Sequence, residues 1–170
     1  TANTGTITVN GGSGARIYLD GAFNNTGGAL NATAGILEFR GANTNANLNG
    51  GTLTIATGAH AYLDGTVTVT GTLNAPTAGS YELNGGTLAG GSVAPGALSF
   101  TGSGGTLNGV TLDDPAVSLP ANTNVTFNGG TTFNSALTLN TNAIVYWDQS
   151  GPLAGKTLNF PGSNGRIYLN

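Results

Sequence analysis

The sequence predicts an all-β chain wound into a parallel β-solenoid, a β-helix of about eight coils, each with about 21 residues and three short strands. Three observations predict it. One strand phrase recurs along the chain at near-constant spacing. A second phrase, built around small-residue corners, follows each copy in the same order. A unit this short cannot bury its own apolar face, whereas stacked neighbours can.

The strand phrase first reads RIYLDG (16–21). It returns as ILEFRG (36–41), HAYLDG (60–65), SYELNG (80–85), ALSFTG (97–102), NVTFNG (124–129) and IVYWDQ (144–149), and the chain closes on RIYLN (166–170). Each copy alternates outward and inward residues before a Gly or polar corner, the period-two pattern of a strand. The inward pairs are Ile17/Leu19, Leu37/Phe39, Ala61/Leu63, Tyr81/Leu83, Leu98/Phe100, Val125/Phe127, Val145/Trp147 and Ile167/Leu169. Tyr81 to Leu98 is the shortest interval between first members, and Leu98 to Val125 the longest.

The corner phrases are FNNTGGALN (23–31), LNGGTLTI (48–55), LAGGSVAP (88–95), LNGVTLD (107–113), FNSALTL (133–139) and LAGKTLNF (153–160), with VTGTLNAP (69–76) as a variant. In each, an apolar anchor precedes a small-residue corner and a second anchor follows. An antiparallel sandwich is the alternative, and it predicts two-residue hairpin turns. The fixed three-part order favours the solenoid. Parallel crossovers are overwhelmingly right-handed, so a right-handed helix is expected by analogy. Eight coils at about 4.8 Å each make a rod roughly 40 Å long, a single domain over 1–170.

Composition narrows the function. Charged residues are 6% of the chain, against about 25% in ordinary soluble domains. A net charge of -3 with one Lys argues against a nucleic-acid partner. No apolar run approaches the roughly 18 residues a membrane span needs. The absence of Cys excludes disulfides, thiol catalysis and thiolate metal sites. The chain begins at Thr1 with no apolar leader, and the expectation is a processed chain located outside the cell.

On this reading, the outward residues of the strand phrase make one charged face. They include Arg16, Tyr18, Asp20, Glu38, Arg40, His60, Tyr62, Asp64, Glu82, Tyr146, Asp148, Arg166 and Tyr168, against Thr, Asn, Ser and Ala elsewhere. Asp20, Arg40 and Asp64 are expected in one ladder, and Tyr18, Glu38, Tyr62 and Glu82 in the next. Tyr18, Glu38, Arg40, His60, Tyr62, Asp64, Glu82 and Tyr146 are the candidate ligand face, with Tyr supplying flat amphipathic area. The alternative is a solvated face of weak rung-to-rung ion pairs. Catalysis is not expected: Arg40 between Asp20 and Asp64 should keep both ionised, and no long loop builds a cleft. Asp113 and Asp114, before Pro115, read as a turn. No cofactor and no metal are expected. Thr/Asn pairs following the corners (Ala29/Asn31, Thr52/Thr54, Thr72/Asn74, Ser92/Ala94, Thr111/Asp113, Ala136/Thr138 and Thr157/Asn159) offer a third use, ice binding, through imperfect rows.

Neither end shows a capping segment, although solenoid ends are open sheet edges. Joining RIYLN to residues 1–15 gives a unit of one coil length before the next RIYL. The N-terminal segment is therefore expected to complete a neighbour's last coil. Ile7, Val9, Ile17 and Leu19 of one copy should then meet Leu158, Phe160, Ile167 and Leu169 of another, or of an adjacent repeat. Such a head-to-tail contact makes filaments.

The periodicity and the Gly/Asn/Thr bias resemble the right-handed parallel β-helix of secreted bacterial repeat proteins, the autotransporter passengers and filamentous-haemagglutinin-type adhesins and fibres. The resemblance covers nearly the whole chain and carries no functional residues. It implies an exported, surface-associated, non-enzymatic protein. The expected function is a structural subunit or repeat module of an extracellular fibre. The alternative is an adhesin binding glycan or protein through the charged face.

Overall fold

A computed structural model describes residues 1–134, 136–151 and 153–170. The chain is a β-solenoid of about eight turns. Every strand pairing in it is parallel, and the paired segments lie one coil apart. Side chains alternate about the coil wall, so one residue in two faces a shared core. Among the described residues no helix is long and apolar enough to cross a membrane.

The first sheet carries Arg16–Leu19, Ala29–Phe39, Ala59–Leu63, Tyr81–Leu83 and Leu98–Phe100, with Thr6–Asn10 and Thr52–Ile55 flanking the front half of Ala29–Phe39. Its inward row Leu19–Phe39–Leu63–Leu83–Phe100 is in register over five coils. Ala29–Phe39 runs eleven residues through a corner that other coils break. Gly35 makes that possible at φ 94°, where a Cβ would stand 2.6 Å from the Ala15 carbonyl oxygen.

The second sheet carries Asn43–Thr44, Thr66–Thr68, Thr87–Ala89, Gly105–Asn108, Asn124–Asn128, Ile144–Asp148 and Arg166–Leu169. Val67, Leu88, Leu107, Phe127, Trp147 and Leu169 form its inward row. Thr72–Leu73, Ser92–Val93, Thr111–Leu112 and Thr132–Phe133 make a narrow third sheet, and Ala116–Leu119, Ala136–Leu139 and Thr157–Asn159 a fourth.

This threading corrects the expected single strand face. Val125, Val145 and Ile167 belong to the second sheet, while Ile17, Leu37, Ala61, Tyr81 and Leu98 belong to the first. The two RIYL copies therefore occupy different walls, and the phase between chain end and chain start is not the coil period there. The reason is local. Val125 pairs with Gly105, which has no side chain to mark the inward position. After Leu98–Phe100, the next strand in chain order to reach that wall is Ala116–Leu119, whose Val117 and Leu119 are buried. Asp114, expected in a turn, bridges these rungs by accepting from Gly96 N (3.1 Å) and Ala116 N (3.1 Å).

Large apolar side chains fill the interior: Leu30, Leu37, Phe39, Leu63, Leu83, Leu88, Leu107 and Leu137 are fully buried. Each contributes about 1.5–3 kcal/mol relative to exposure. Phe127, Phe133 and Trp147 form an aromatic cluster, with ring centroids 5.5–6.4 Å apart.

Buried polar side chains stitch the corners. Asn45 donates to the Thr70 and Thr72 carbonyls (2.9 and 3.0 Å) and accepts from Thr70 N (3.0 Å). It opens a helical turn, Asn45–Asn49, capped by Thr44 and unforeseen from the NANLN composition. Asn45→Ala is expected to lower stability by about 2–4 kcal/mol, because it leaves buried backbone groups unmatched. Urea unfolding followed by circular dichroism measures this.

At another corner Asn122, Asn142 and Asn164 adopt left-handed backbones at φ 60°, 58° and 60°. Asn142 donates its amide to Asn122 Oδ1 (3.0 Å) and Asn164 to Asn142 Oδ1 (3.3 Å). Asn tolerates this conformation better than other non-Gly residues.

Candidate functional site

The first sheet's outer surface brings most of the expected ligand face together. Tyr18, Glu38, Tyr62 and Glu82 stand in register on successive rungs, as the alternation implied, with Ser99 next. The second expected ladder holds as well, since Arg40 follows Asp20 and Asp64 follows Arg40 by one rung each. Tyr146 does not belong to this face. With Asp148, Arg166 and Tyr168 it lies on the second sheet, where the Tyr146 and Tyr168 rings stack at 5.4 Å.

Glu38 is the hinge of the strip and is 5% exposed. It accepts from Arg16 Nη1 (2.6 Å) one coil earlier and from Arg40 Nε (3.0 Å) on its own strand end. The Arg40 guanidinium lies 3.7 Å from the Tyr18 ring centroid, a cation–π contact. One coil further, His60 Nδ1 meets Glu82 Oε1 at 2.6 Å, and the His60 ring leans on Tyr62 with centroids 5.2 Å apart.

The Glu38 and Asp64 carboxyls also interact, diagonally across one rung. Burial pushes the Asp64 carboxyl up, and this contact with Glu38 adds to it, reaching about 6. Burial also works to raise Glu38, but hydrogen bonds from the Asp64 proton, Arg16 and Arg40 outweigh it and hold Glu38 below the usual range. Arg40 pulls the Asp64 carboxyl down as expected, but burial and the neighbouring Glu38 outweigh it. Arg40 gives its Nε to Glu38, while Asp64 accepts from Asn84 Nδ2 at 2.6 Å.

The end coils differ in cover. In the first, Val9 and Leu19 are buried and Ile7 and Ile17 half-buried. In the last, Leu158 and Ile167 are half-buried, while Phe160 is 44% and Leu169 65% exposed. One coil inward, the residues paired with Ile167 and Leu169 are Val145 and Trp147, both buried. The expected meeting set therefore does not share one wall. Ile17 and Leu19 lie in the first sheet, Ile167 and Leu169 in the second, and Leu158 in the fourth.

The Thr/Asn pairs expected to make an ice-matching row are divided among the first, third and fourth sheets. The longest threonine row is instead Thr66–Thr87–Thr106–Thr126 on the second sheet, and it ends at Tyr146. Among the described residues no group of three or more His, Asp or Glu side chains is placed to hold a metal ion. No protein-family model matches this chain, and neither curated proteins nor solved structures gave a match.

Proposed function

We propose that this chain is a rigid, non-catalytic rod segment of an extracellular fibre or long surface adhesin of the secreted bacterial β-helix type, stacking coaxially on further solenoid coils. One observation carries the reading. The in-register apolar row from Val67 to Leu169 is sealed at every rung except the last, where Leu169 faces solvent. An apolar rung with unpaired backbone edges takes a further strand by β-augmentation. Another copy of the chain, or further coils of the same polypeptide, supplies it. Negative-stain microscopy of the purified chain tests this. Fibres about 20–30 Å wide with a repeat of about 40 Å are expected at one sheet spacing per coil. Monodisperse particles about 40 Å long at every concentration would overturn the stacking of copies.

A second reading has its own observation. Glu38, Arg16, Arg40 and Tyr18 are locked to one another before any ligand arrives, and such preorganised strips favour recognition because less side-chain freedom is lost on binding. On this reading the strip is the adhesive surface. Retention of the chain on a glycan array, lost on Tyr18→Ala, supports it; retention unchanged by Tyr18→Ala removes the strip from the adhesive role.

A further inference from the structure

A step in the solenoid wall lies beside the polar strip. Thr77 N donates to the Leu53 carbonyl (2.8 Å) and Ile55 N to the Ala78 carbonyl (3.1 Å), so residues 77–78 run along Thr52–Ile55. Gly79 then turns the chain at φ 73°, with no room for a Cβ, which would stand 2.8 Å from Ile55 Cβ. The next coil takes a shorter path, and Tyr81 and Leu98 are closer in sequence than any other strand partners on this wall.

The strand pairing opens at the same place. Ala59–Leu63 pairs over five residues with Ala29–Phe39, but with Tyr81–Leu83 only through Tyr62 and Leu63. The result is a groove of ≈ 630 Å³. Thr54, Thr57 and His60 line one side, and Ser80, Glu82 and Ser99 the other. Ile55 and Ala59, both buried, also line it.

The lining selects a ligand class. Four hydroxyls, one carboxylate and one imidazole face a single space, and Tyr62 adjoins it through the His60 ring. Among the described residues no Lys or Arg lines the groove while the Glu82 carboxyl does, so the lining does not favour a sulfated or uronic ligand. The carboxylate is already matched, since Glu82 Oε1 meets His60 Nδ1, and the Ser80 and Ser99 hydroxyls meet at 2.9 Å. Such paired groups exchange bonds readily with ligand hydroxyls, each able to donate and accept. Aromatic faces beside convergent polar groups suit a ring with apolar C–H faces and polar edges.

We propose that this groove binds a neutral oligosaccharide, with its hydroxyls held by Glu82, His60 and the serine pair and one sugar ring resting on Tyr62. The inference rests on the adhesive reading of the strip and gives that surface a substrate class. Calorimetric titration of the whole chain with cellohexaose, chitohexaose and maltohexaose tests it. At least one is expected to bind with Kd below about 1 mM. Glu82→Gln, which keeps the side chain's shape, and His60→Ala should each weaken that binding about tenfold or more. Thr106→Ala on the second sheet should leave it unchanged. Melting curves of the variants confirm folding, and Ser80→Leu, which fills an exposed edge of the groove, provides a second block. Absence of binding by all three hexaoses overturns the proposal. Binding that survives Glu82→Gln and His60→Ala but falls with Tyr18→Ala also overturns the groove, while leaving the wider strip in its adhesive role.

Discussion

Leu169→Asp is expected to abolish end-to-end association of this chain. Leu169 completes the inward row of the second sheet, directly over Trp147, and is 65% exposed. In a stack it becomes core. A bare terminal coil presents about five apolar side chains, each worth roughly 1.5–3 kcal/mol on burial, and association itself costs about 4–15 kcal/mol. The margin is therefore modest, and an unpaired carboxylate in the joint costs several kcal/mol more. At about 1.4 kcal/mol per tenfold, the association constant should fall by about a hundredfold or more. Sedimentation velocity over a concentration series reads this directly. Thr68→Asp adds the same charge to the exposed wall of the second sheet and should leave the multimers intact. Identical sedimentation of wild type and Leu169→Asp would remove end stacking of copies from the account. Trp147 gives a local readout, because its ring lies one rung below the joint and its Nε1 donates to the Gly151 carbonyl at 3.2 Å.

The second large effect concerns acidity. Asp64 titrates at about 6 when folded, against 3.8 as an ordinary Asp. An acid whose folded pKa is raised holds its proton more tightly in the native state. Its contribution to stability is complete below pH 3.8 and is lost as pH rises through about 6. Glu38 acts in the opposite sense. Its carboxyl is lowered from 4.5, so its contribution is present above that value and fades on further acidification. The wild-type chain should thus be most stable on the acid side of neutrality. Asp64→Asn should remove the decline between pH 4 and 7, since an amide there donates to Glu38 permanently and still accepts from Asn84. After discounting for solvent screening, the gain at pH 7 is about 1–2 kcal/mol, or roughly 3–6 °C in Tm. Thermal melts of both proteins from pH 4 to 8 provide the comparison. A wild-type melting point that rises steadily from pH 4 to 7 would contradict the raised Asp64 carboxyl.

The solenoid class was legible because its signal is one of period. The row Leu19–Phe39–Leu63–Leu83–Phe100 carries a large apolar residue on every rung, so register could be read directly. Periodicity misthreads the rod's second half for an equally plain reason. Gly105 occupies an inward position without a side chain, and the strand Ala116–Leu119 has no aromatic or charged residue of its own. Alternation fixes which side of the wall a residue takes, but not which of several walls it belongs to. The ladder of Tyr18, Glu38, Tyr62 and Glu82 followed from alternation alone. The Glu38–Asp64 contact did not, because it runs diagonally between two ladders and depends on Arg40 turning back along its own strand. The groove beside His60 depends on one short coil following longer ones. The spacings contain that difference, but not its location in three dimensions.

The asparagine stack at residues 122, 142 and 164 gives the rod a direction. Asn142 and Asn164 each hand an amide hydrogen towards the amino-terminal side. The stack is therefore polar along the axis of the rod. Growth by addition of identical units along that axis would be vectorial.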